Sequence, residues 1–175
     1  MKYPKLTLKE EQLPQILSLL RENQTLAIVP QGDSMFPFFL GGRDTLNVQR
    51  VTFPLNRGDI VLYRRENGTY VTHRVHHVTK SSSTVQSSPD RIANPHTVQY
   101  YMLGDHQTLI EGPIQESQIY GVVASFERKG THIDCTTNKK YIIAWKLWLF
   151  IRPIRPIIYP ILVIMNKLRH KTKSP

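Results

Sequence analysis

Short apolar runs, separated by turn-forming residues, make up most of this chain. Seven of them have the length and the β-branched or aromatic content of strands, namely residues 26–29, 45–51, 59–64, 70–79, 99–103, 120–128 and 132–135. Asn67-Gly68 lies between two of these runs and is typical of a β-hairpin turn. The stretch 81–97, rich in Ser, Pro and Asn, is predicted to be a loop insertion. The pattern therefore predicts a mainly-β domain, built as a small coiled β-barrel or sandwich.

Helical patterns are found near both ends of the chain. Near the N-terminus, apolar residues follow the i, i+3, i+4, i+7 spacing of an amphipathic helix: Leu13, Ile16, Leu17 and Leu20. Near the C-terminus, the aromatic and aliphatic run 141–151 predicts a second helix. The chain is thus predicted to have three parts: a helical leader (1–24), a β domain (25–135) and a basic, apolar C-terminal segment (136–175).

Length and composition narrow the kinds of site that the chain can carry. A chain of 175 residues normally forms one domain. Its single cysteine, Cys135, excludes an internal disulfide and a cysteine-cluster metal site. The sequence contains no zinc-protease, P-loop or dinucleotide-binding motif. We therefore expect no metal and no cofactor.

The positive charge of the chain is concentrated at one end. The net charge is +10, but residues 1–134 hold fourteen basic and thirteen acidic side chains, whereas residues 135–175 hold nine basic and none that is acidic. Anionic lipid and nucleic acid are both possible partners of such a segment. The interleaved Trp, Phe, Tyr and Ile favour lipid, so we expect residues 141–175 to bind an anionic membrane surface and expect no nucleic acid.

Three structures remain open for this C-terminal segment. It is long enough to span a bilayer, but Lys146, Arg152 and Arg155 each cost roughly 2.5–3.5 kcal/mol near the centre of a span. It fits better as an interfacial segment, with apolar side chains among the lipid headgroups. Alternatively, residues 141–150 pack on the body as a C-terminal helix. At the other end, no continuous apolar core follows the N-terminal lysines, so no secretory signal peptide is predicted.

The candidate chemistry begins at segment 32–37, Gly-Asp-Ser-Met-Phe-Pro. Ser34 follows an apolar strand, Gly32 permits a sharp turn, and Pro37 stiffens the exit from that turn. This arrangement would present a serine nucleophile. His73, on a later strand, offers a base, and Asp105 offers a carboxylate, so the chain contains the parts of an acyl-transfer site. The order Ser, His, Asp alone is weak evidence, because chance produces it readily.

Four local sequences together are more specific. They are Gly-Asp-Ser-Met-Phe-Pro at 32–37, Arg-Gly-Asp-Ile-Val at 57–61, Thr-His-Arg-Val at 72–75 and Gly-Asp at 104–105. In order and spacing this set resembles the four boxes of the S24/S26 peptidase superfamily, which contains type I signal peptidases and self-cleaving SOS-response repressors. The resemblance covers about a hundred residues, from Thr25 to Ser125, and it agrees with the mainly-β fold predicted above.

The resemblance implies a role for each box. Ser34 would be the nucleophile, and the base would occupy the place of His73. Bacterial signal peptidases have Lys there, whereas the endoplasmic-reticulum and sporulation types have His. Lys80 is the only lysine between Ser34 and Gly121, and it lies in a polar run, where it would not be desolvated enough to be neutral near pH 7. An unperturbed imidazole needs no such burial, and the pH–activity profile would then rise between about 6 and 7.

Each assignment has a structural alternative. Ser34 could simply cap a turn, and His73 could be a half-buried histidine of the strand, with His76 and His77 close by. Asp105 either orients His73 or closes the turn after Leu103. Met35 and Pro37 are expected to line the substrate cleft. Segment 57–59 is expected to form a structural turn that pins the strand bearing the base.

The predicted activity is that of a signal-peptidase-like serine endopeptidase that cleaves a precursor or leader peptide. We expect it to be peripherally associated with the membrane, on the cytoplasmic face. Two expectations depart from the resemblance: the predicted leader is too short for a repressor's DNA-binding domain, and its sequence predicts no membrane anchor of the kind usual in signal peptidases. Two other functions stay open: a catalytically silent peptide-binding module on the same scaffold, and a nucleic-acid-binding regulator that uses the basic segment.

Overall fold

The computed structural model describes residues 5–7, 17–20, 22, 24–81 and 97–154. Nine strands occur within these residues: β1 (Lys5–Thr7), β2 (Leu26–Val29), β3 (Asp44–Arg50), β4 (Ile60–Arg64), β5 (Tyr70–Ser81), β6 (Thr97–Leu103), β7 (Glu111–Ile114), β8 (Ile119–Arg128) and β9 (Thr131–Asp134). An α-helix, here called the C-terminal helix, spans Lys139–Phe150, residues 17–20 are also helical, and short 3-10 turns lie at Glu116–Gln118 and Arg152–Ile154. The prediction of a mainly-β fold is confirmed.

All nine strands belong to one sheet. Its order is β1-β2-β3-β8-β4-β5-β6-β7, and β9 also pairs with β8. Every pairing is antiparallel except that of β1 with β2. In the part of the chain that the structure describes, the sheet is not closed, and β1 and β7 lie at the two ends of this order. The long strand β8 joins the two halves of the sheet, because it pairs with β3 on one side and β4 on the other.

Strand β4 is buried on both of its faces, and this divides the interior into two apolar cores. Ile60 and Leu62 belong to the first core, with residues of β2, β3, β8 and the C-terminal helix. Val61 and Tyr63 point the other way, into the second core, with residues of β5, β6 and β7. Because side chains alternate along a strand, burial on both faces requires the continuous apolar run Ile-Val-Leu-Tyr seen here.

The seven strands predicted from the sequence correspond to β2–β6, β8 and β9, with ends that differ by at most two residues. The Asn67-Gly68 pair joins β4 to β5, and Gly68 has a φ of 88°, in the left-handed region that glycine tolerates. Strands β1 and β7 were not predicted. The predicted insertion 81–97, apart from its first and last residues, lies outside the described residues.

The N-terminal amphipathic helix is described only in part. Residues 17–20 are helical, and Leu20 is buried in the first core beside β8. Leu13 and Ile16 lie outside the described residues.

The C-terminal helix packs on the body with one face. Its first turn is capped by Asn138, whose side-chain oxygen accepts a hydrogen bond from the backbone N–H of Tyr141 at 3.0 Å. Tyr141 and Trp148 are buried in the first core. The packed-helix alternative therefore holds for this face. Among the described residues, no helix is both long enough and apolar enough to cross a bilayer.

An apolar stripe on the same helix faces outward. Ile143, Leu147 and Phe150 are 66%, 56% and 82% exposed, and Ile154, in the following turn, is 48% exposed. These four residues recur at intervals of three or four, so they lie along one side of the helix. We call them the outer stripe.

Gly58 offers a test of how closely the helix is packed. Gly58 has a φ of 104°, and a Cβ atom placed there would overlap the indole ring of Trp145. Gly58→Ala should therefore lower the free energy of unfolding by about 2–4 kcal/mol, from backbone strain and overpacking together. Urea denaturation would measure this loss. The matched control is Gly130→Ala, at a φ of 79° with nothing within 4 Å, which should cost only the backbone strain, about 1 kcal/mol. Equal losses in the two variants would contradict the close packing of Trp145.

Candidate active site

The turn that carries Ser34 starts directly after β2. Gly32 has a φ of 72°, and its carbonyl oxygen accepts a hydrogen bond from the N–H of Gly41 at 2.8 Å, which closes the loop. The N–H groups of Phe38 and Phe39 both bond to the carbonyl of Met35. Ser34 is left half-buried at the edge of this compact loop, while Met35 is anchored in the first core.

A cleft of about 140 Å³ opens beside Ser34. One wall comes from the Ser34 loop and the residues around it, namely Pro30, Gln31, Gly32, Ser34, Met35, Phe39 and Gly41. The start of β5 contributes Tyr70, Val71 and Thr72, and Leu46 of β3 also lines the cleft. Met35 therefore lines the cleft, as expected. Pro37, the other residue expected to line it, is not among the described residues that do so.

Backbone hydrogen bonds join the four boxes in pairs. The N–H of His106 donates to the carbonyl of Ser34 at 2.8 Å, which ties the Gly-Asp box at 104–105 to the serine loop. The N–H of Gly58 donates to the carbonyl of Val75 at 2.9 Å, and the N–H of Val75 donates to Asp59 at 2.7 Å. The prediction that segment 57–59 forms a turn pinning β5 is thereby confirmed.

A buried ion pair then joins these two halves. Arg74 donates to both carboxylate oxygens of Asp105, at 2.9 and 2.7 Å, and both residues are 0% exposed. The same guanidinium donates to the carbonyl of Gly58 at 2.9 Å and to the hydroxyl of Tyr141 at 3.2 Å. Asp105 thus binds Arg74 directly. Its effect on His73 is electrostatic, a raising of the imidazole pKa that is smaller than the lowering by burial.

The C-terminal helix completes this arrangement. The indole N–H of Trp148 donates to the backbone carbonyl of Asp105 at 2.7 Å. The guanidinium of Arg74 lies 5.2–5.8 Å from three aromatic ring centres, those of Phe38, Tyr141 and Trp145. Both members of the ion pair are therefore held by the helix as well as by the sheet.

His73 points to the other side of β5 and is 1% exposed. Its Nδ1 lies 3.0 Å from the hydroxyl of Tyr63 and 3.4 Å from Oε1 of Glu111. Burial is the main reason that the pKa of His73 falls to about 4; the Glu111 carboxylate opposes this, and Arg65 adds to it. The titration between pH 6 and 7 expected of an unperturbed imidazole is thus moved downward, and His73 is neutral at pH 7.

Ser34 and His73 do not form a hydrogen-bonded pair in this structure. Among the described residues no hydrogen bond joins their side chains, and the cleft beside Ser34 is lined by Val71 and Thr72 of β5 without His73. A general base commonly comes within hydrogen-bond range only when substrate binds. The structure therefore brings the two segments into the same region without forming a dyad.

The other candidate bases lie elsewhere. Lys80 is exposed and lines a separate groove with Phe53 and Val98. The rings of His76 and His77 hydrogen-bond to each other through their Nδ1 atoms at 2.9 Å.

The sequence did not single out His106. Its backbone N–H binds Ser34, and its Nδ1 lies 3.4 Å from the Asp33 carboxylate. The feature of the sequence that could have identified His106 is its position directly after the Gly-Asp box at 104–105.

Cys135 is not a competing nucleophile. Burial raises the pKa of its thiol to about 12, so the thiolate is scarce at neutral pH.

Comparisons with known proteins add no family assignment: no protein-family model matches the chain, and no curated protein is significantly similar to it.

The buried ion pair predicts a large cost for removing one charge. Asp105→Asn leaves the Arg74 guanidinium without a counter-charge, so the free energy of unfolding should fall by about 3–5 kcal/mol. The control is Asp33→Asn, at a side chain that is 61% exposed, where about 1 kcal/mol or less is expected. Chemical denaturation monitored by tryptophan fluorescence would measure both. A loss below about 1 kcal/mol for Asp105→Asn would show that the pair does not stabilise the fold.

Proposed function

We propose that the protein is a serine endopeptidase of the signal-peptidase type, with Ser34 as nucleophile and His73 as general base. The observation that carries the proposal is the convergence of the four boxes. Segments 32–37, 57–61, 72–75 and 104–105 are far apart in sequence, yet hydrogen bonds and one ion pair link all four around the serine loop.

The chemistry would proceed through an acyl-enzyme. The hydroxyl oxygen of Ser34 attacks the scissile carbonyl while His73 accepts its proton, and the departing amine takes that proton as the peptide bond breaks. Water then attacks the ester carbonyl, again with His73 as base, and returns Ser34 to its free form. Backbone N–H groups of the Ser34 loop would stabilise the oxyanion. His73 does not line the cleft in this structure, so β5 has to shift when substrate binds for the imidazole to come within hydrogen-bond range of Ser34.

The substrate would be a precursor or leader peptide bound in an extended conformation. The cleft has a volume of about 140 Å³, and its walls include the apolar side chains of Met35, Phe39 and Leu46. An extended peptide in such a cleft is held by main-chain hydrogen bonds and by small side-chain pockets.

A second function has one observation in its favour. Because Ser34 and His73 are not hydrogen-bonded, the same cleft would also serve a peptide-binding module that cleaves nothing. A fluorophosphonate reagent separates the two, since only an activated serine reacts covalently with it.

We further propose that the outer stripe rests on an anionic membrane surface, on the cytoplasmic side. Leu147 and Phe150 expose apolar surface that water does not favour, and Lys140 and Lys146 are exposed on the same helix. An apolar stripe beside cations suits the headgroup region of an anionic bilayer better than it suits nucleic acid, whose phosphates offer no apolar partner.

The assigned nucleophile and base give the first functional prediction. Ser34→Ala and His73→Ala should each lower the rate of peptide cleavage by several orders of magnitude, because each removes a group that takes part in bond making. The measurement is kcat/KM with a peptide that the wild type cleaves. Ser34→Ala should leave the melting temperature nearly unchanged, because the half-buried turn serine contributes little packing.

Three control variants sharpen the assignment of the base. His76→Ala, Lys80→Ala and His106→Ala should remain active. If Lys80→Ala were inactive and His73→Ala active, a Ser/Lys dyad would replace the proposal; the same result at His106 would move the base to that imidazole.

The outer stripe gives a second prediction. The double variant Leu147→Asn/Phe150→Asn should bind vesicles containing anionic lipid at least about tenfold more weakly, because burying each apolar side chain contributes about 1.5–3 kcal/mol. Flotation of the full chain with anionic and neutral vesicles would measure this, and high salt should weaken the wild-type binding.

The control is Lys129→Asn/Thr131→Asn, which alters the exposed β8–β9 hairpin and should bind as the wild type does. Equal binding by both double variants, or retention of the wild type in alkaline carbonate, would contradict an interfacial role of the stripe. Removal of residues 141–175 would be an unsuitable test of the stripe, because Tyr141 and Trp148 belong to the core.

A further inference from the structure

A chain of hydrogen bonds leads from His73 through Tyr63 to Glu111. The Tyr63 hydroxyl donates to Oε2 of Glu111 at 2.7 Å, and its oxygen lies 3.0 Å from Nδ1 of His73. Arg65 donates to both carboxylate oxygens of Glu111. Tyr63 is fully buried and His73 almost so. None of these three partners belongs to the four boxes, and the mechanism above gives them no role.

The direction of each hydrogen bond follows from the charges. Burial alone would raise the pKa of Glu111, but the hydrogen bonds from Arg65 and Tyr63 outweigh it and hold that pKa below its usual value. Glu111 is therefore an anion that only accepts. Burial, together with the Glu111 carboxylate, raises the pKa of Tyr63 above its ordinary range, so Tyr63 keeps its single proton and gives it to Glu111. The Tyr63 oxygen is thus left to accept, and Nδ1 of His73 has to be the donor.

We propose that Tyr63 and Glu111 are positioning residues that fix His73 in the tautomer protonated at Nδ1, so that Nε2 is the atom that accepts the proton of Ser34. The inference rests on the proposed peptidase function for its catalytic meaning, but the tautomer itself does not depend on it. Among the described residues, no hydrogen-bond partner of Nε2 is found, and the contacts of the ring are made through Nδ1. The acid partner of the imidazole is then Glu111, in place of Asp105, whose carboxylate is held by Arg74.

The charges that reach His73 come from three directions. Tyr63 and Arg65 lie on and just after β4, Glu111 lies on β7, and Asp105 follows β6. Glu111 and Asp105 favour the imidazolium, and Arg65 disfavours it. Removing the charge of Glu111 should therefore move the titration of His73 further toward acid.

The test is a measurement of the ¹⁵N chemical shifts of His73 in the full chain, which distinguish the two neutral tautomers. In the wild type, Nδ1 should carry the proton and Nε2 should have the shift of an unprotonated ring nitrogen. The shifts should stay constant from pH 8 down to about 5, since burial lowers the pKa to about 4. A wild-type spectrum of the Nε2–H tautomer would overturn the inference, whether or not the protein cleaves peptides.

Glu111→Gln tests the cause of the tautomer. With the amide oxygen bound to Arg65, the amide N–H of Gln faces the Tyr63 oxygen, and the Tyr63 proton turns toward Nδ1 of His73. The Nε2–H tautomer should then appear. If cleavage depends on His73, kcat should fall by at least about a hundredfold with little change in KM, because the base atom carries a proton. The acid limb of the pH profile should also move to lower pH, which a mere packing defect would not cause.

The chain contains a matched control. Tyr100 is fully buried in the same core, and its hydroxyl donates to Glu116 at 3.2 Å, as Tyr63 donates to Glu111. Glu116→Gln should leave the His73 tautomer and kcat unchanged. A His73 tautomer unaffected by Glu111→Gln would reject Glu111 as its cause. An Nδ1–H wild type that shifts as predicted, together with full activity of Ser34→Ala, would keep the positioning assignment and reject the peptidase mechanism.

Discussion

The ion pair between Arg74 and Asp105 is the interaction on which the arrangement of the site depends. It lies where β5, the loop after β6, the turn before β4 and the C-terminal helix meet, and each of these elements supplies a partner to one of its charges. Burial of two ions is costly unless every donor and acceptor is matched. Here the matching is close to complete, and the surrounding rings exclude water. The geometry of the serine loop follows, because the loop is bonded to the segment that contains Asp105.

The side chains of His73 and Arg74, which are neighbours on β5, point to opposite sides of the sheet. Because side chains alternate across a strand, Arg74 enters the first core, where Phe38 and Tyr141 lie beside it, while His73 faces Tyr63 of the second core. The sequence pointed to His73 and Asp105 as partners, since a triad requires an acid. Periodicity alone shows that residues 73 and 74 face apart, but not which face the carboxylate reaches. That depends on the loop after β6, whose path only the folded chain defines.

Much of the fold could be predicted from local patterns, and the exceptions have physical causes. Strands with continuous or alternating apolar residues were found within two residues of their true ends. Strand β7 was missed because Gly112 and Pro113 are poor strand formers. A proline can occur in this strand because β7 lies at the edge of the sheet, where its missing N–H leaves no strand-to-strand hydrogen bond unmade. Glu111 was missed with it. The serine loop was predictable, since its glycine, serine and proline each restrict the backbone; the acid that faces His73 was not, since its contact depends on tertiary packing.

The inner face of the C-terminal helix has a consequence for how the site forms during synthesis. Tyr141 and Trp148 donate or accept the hydrogen bonds that complete the surroundings of Arg74 and Asp105. On the ribosome, the described strands emerge before this helix, so the charges of Arg74 and Asp105 would stay partly hydrated until residue 148 has left the exit tunnel. A nascent chain would therefore carry the serine loop before it carries an ordered site. Ordering of the site is therefore a late event of folding, which requires that Trp148 has packed against the loop that contains Asp105.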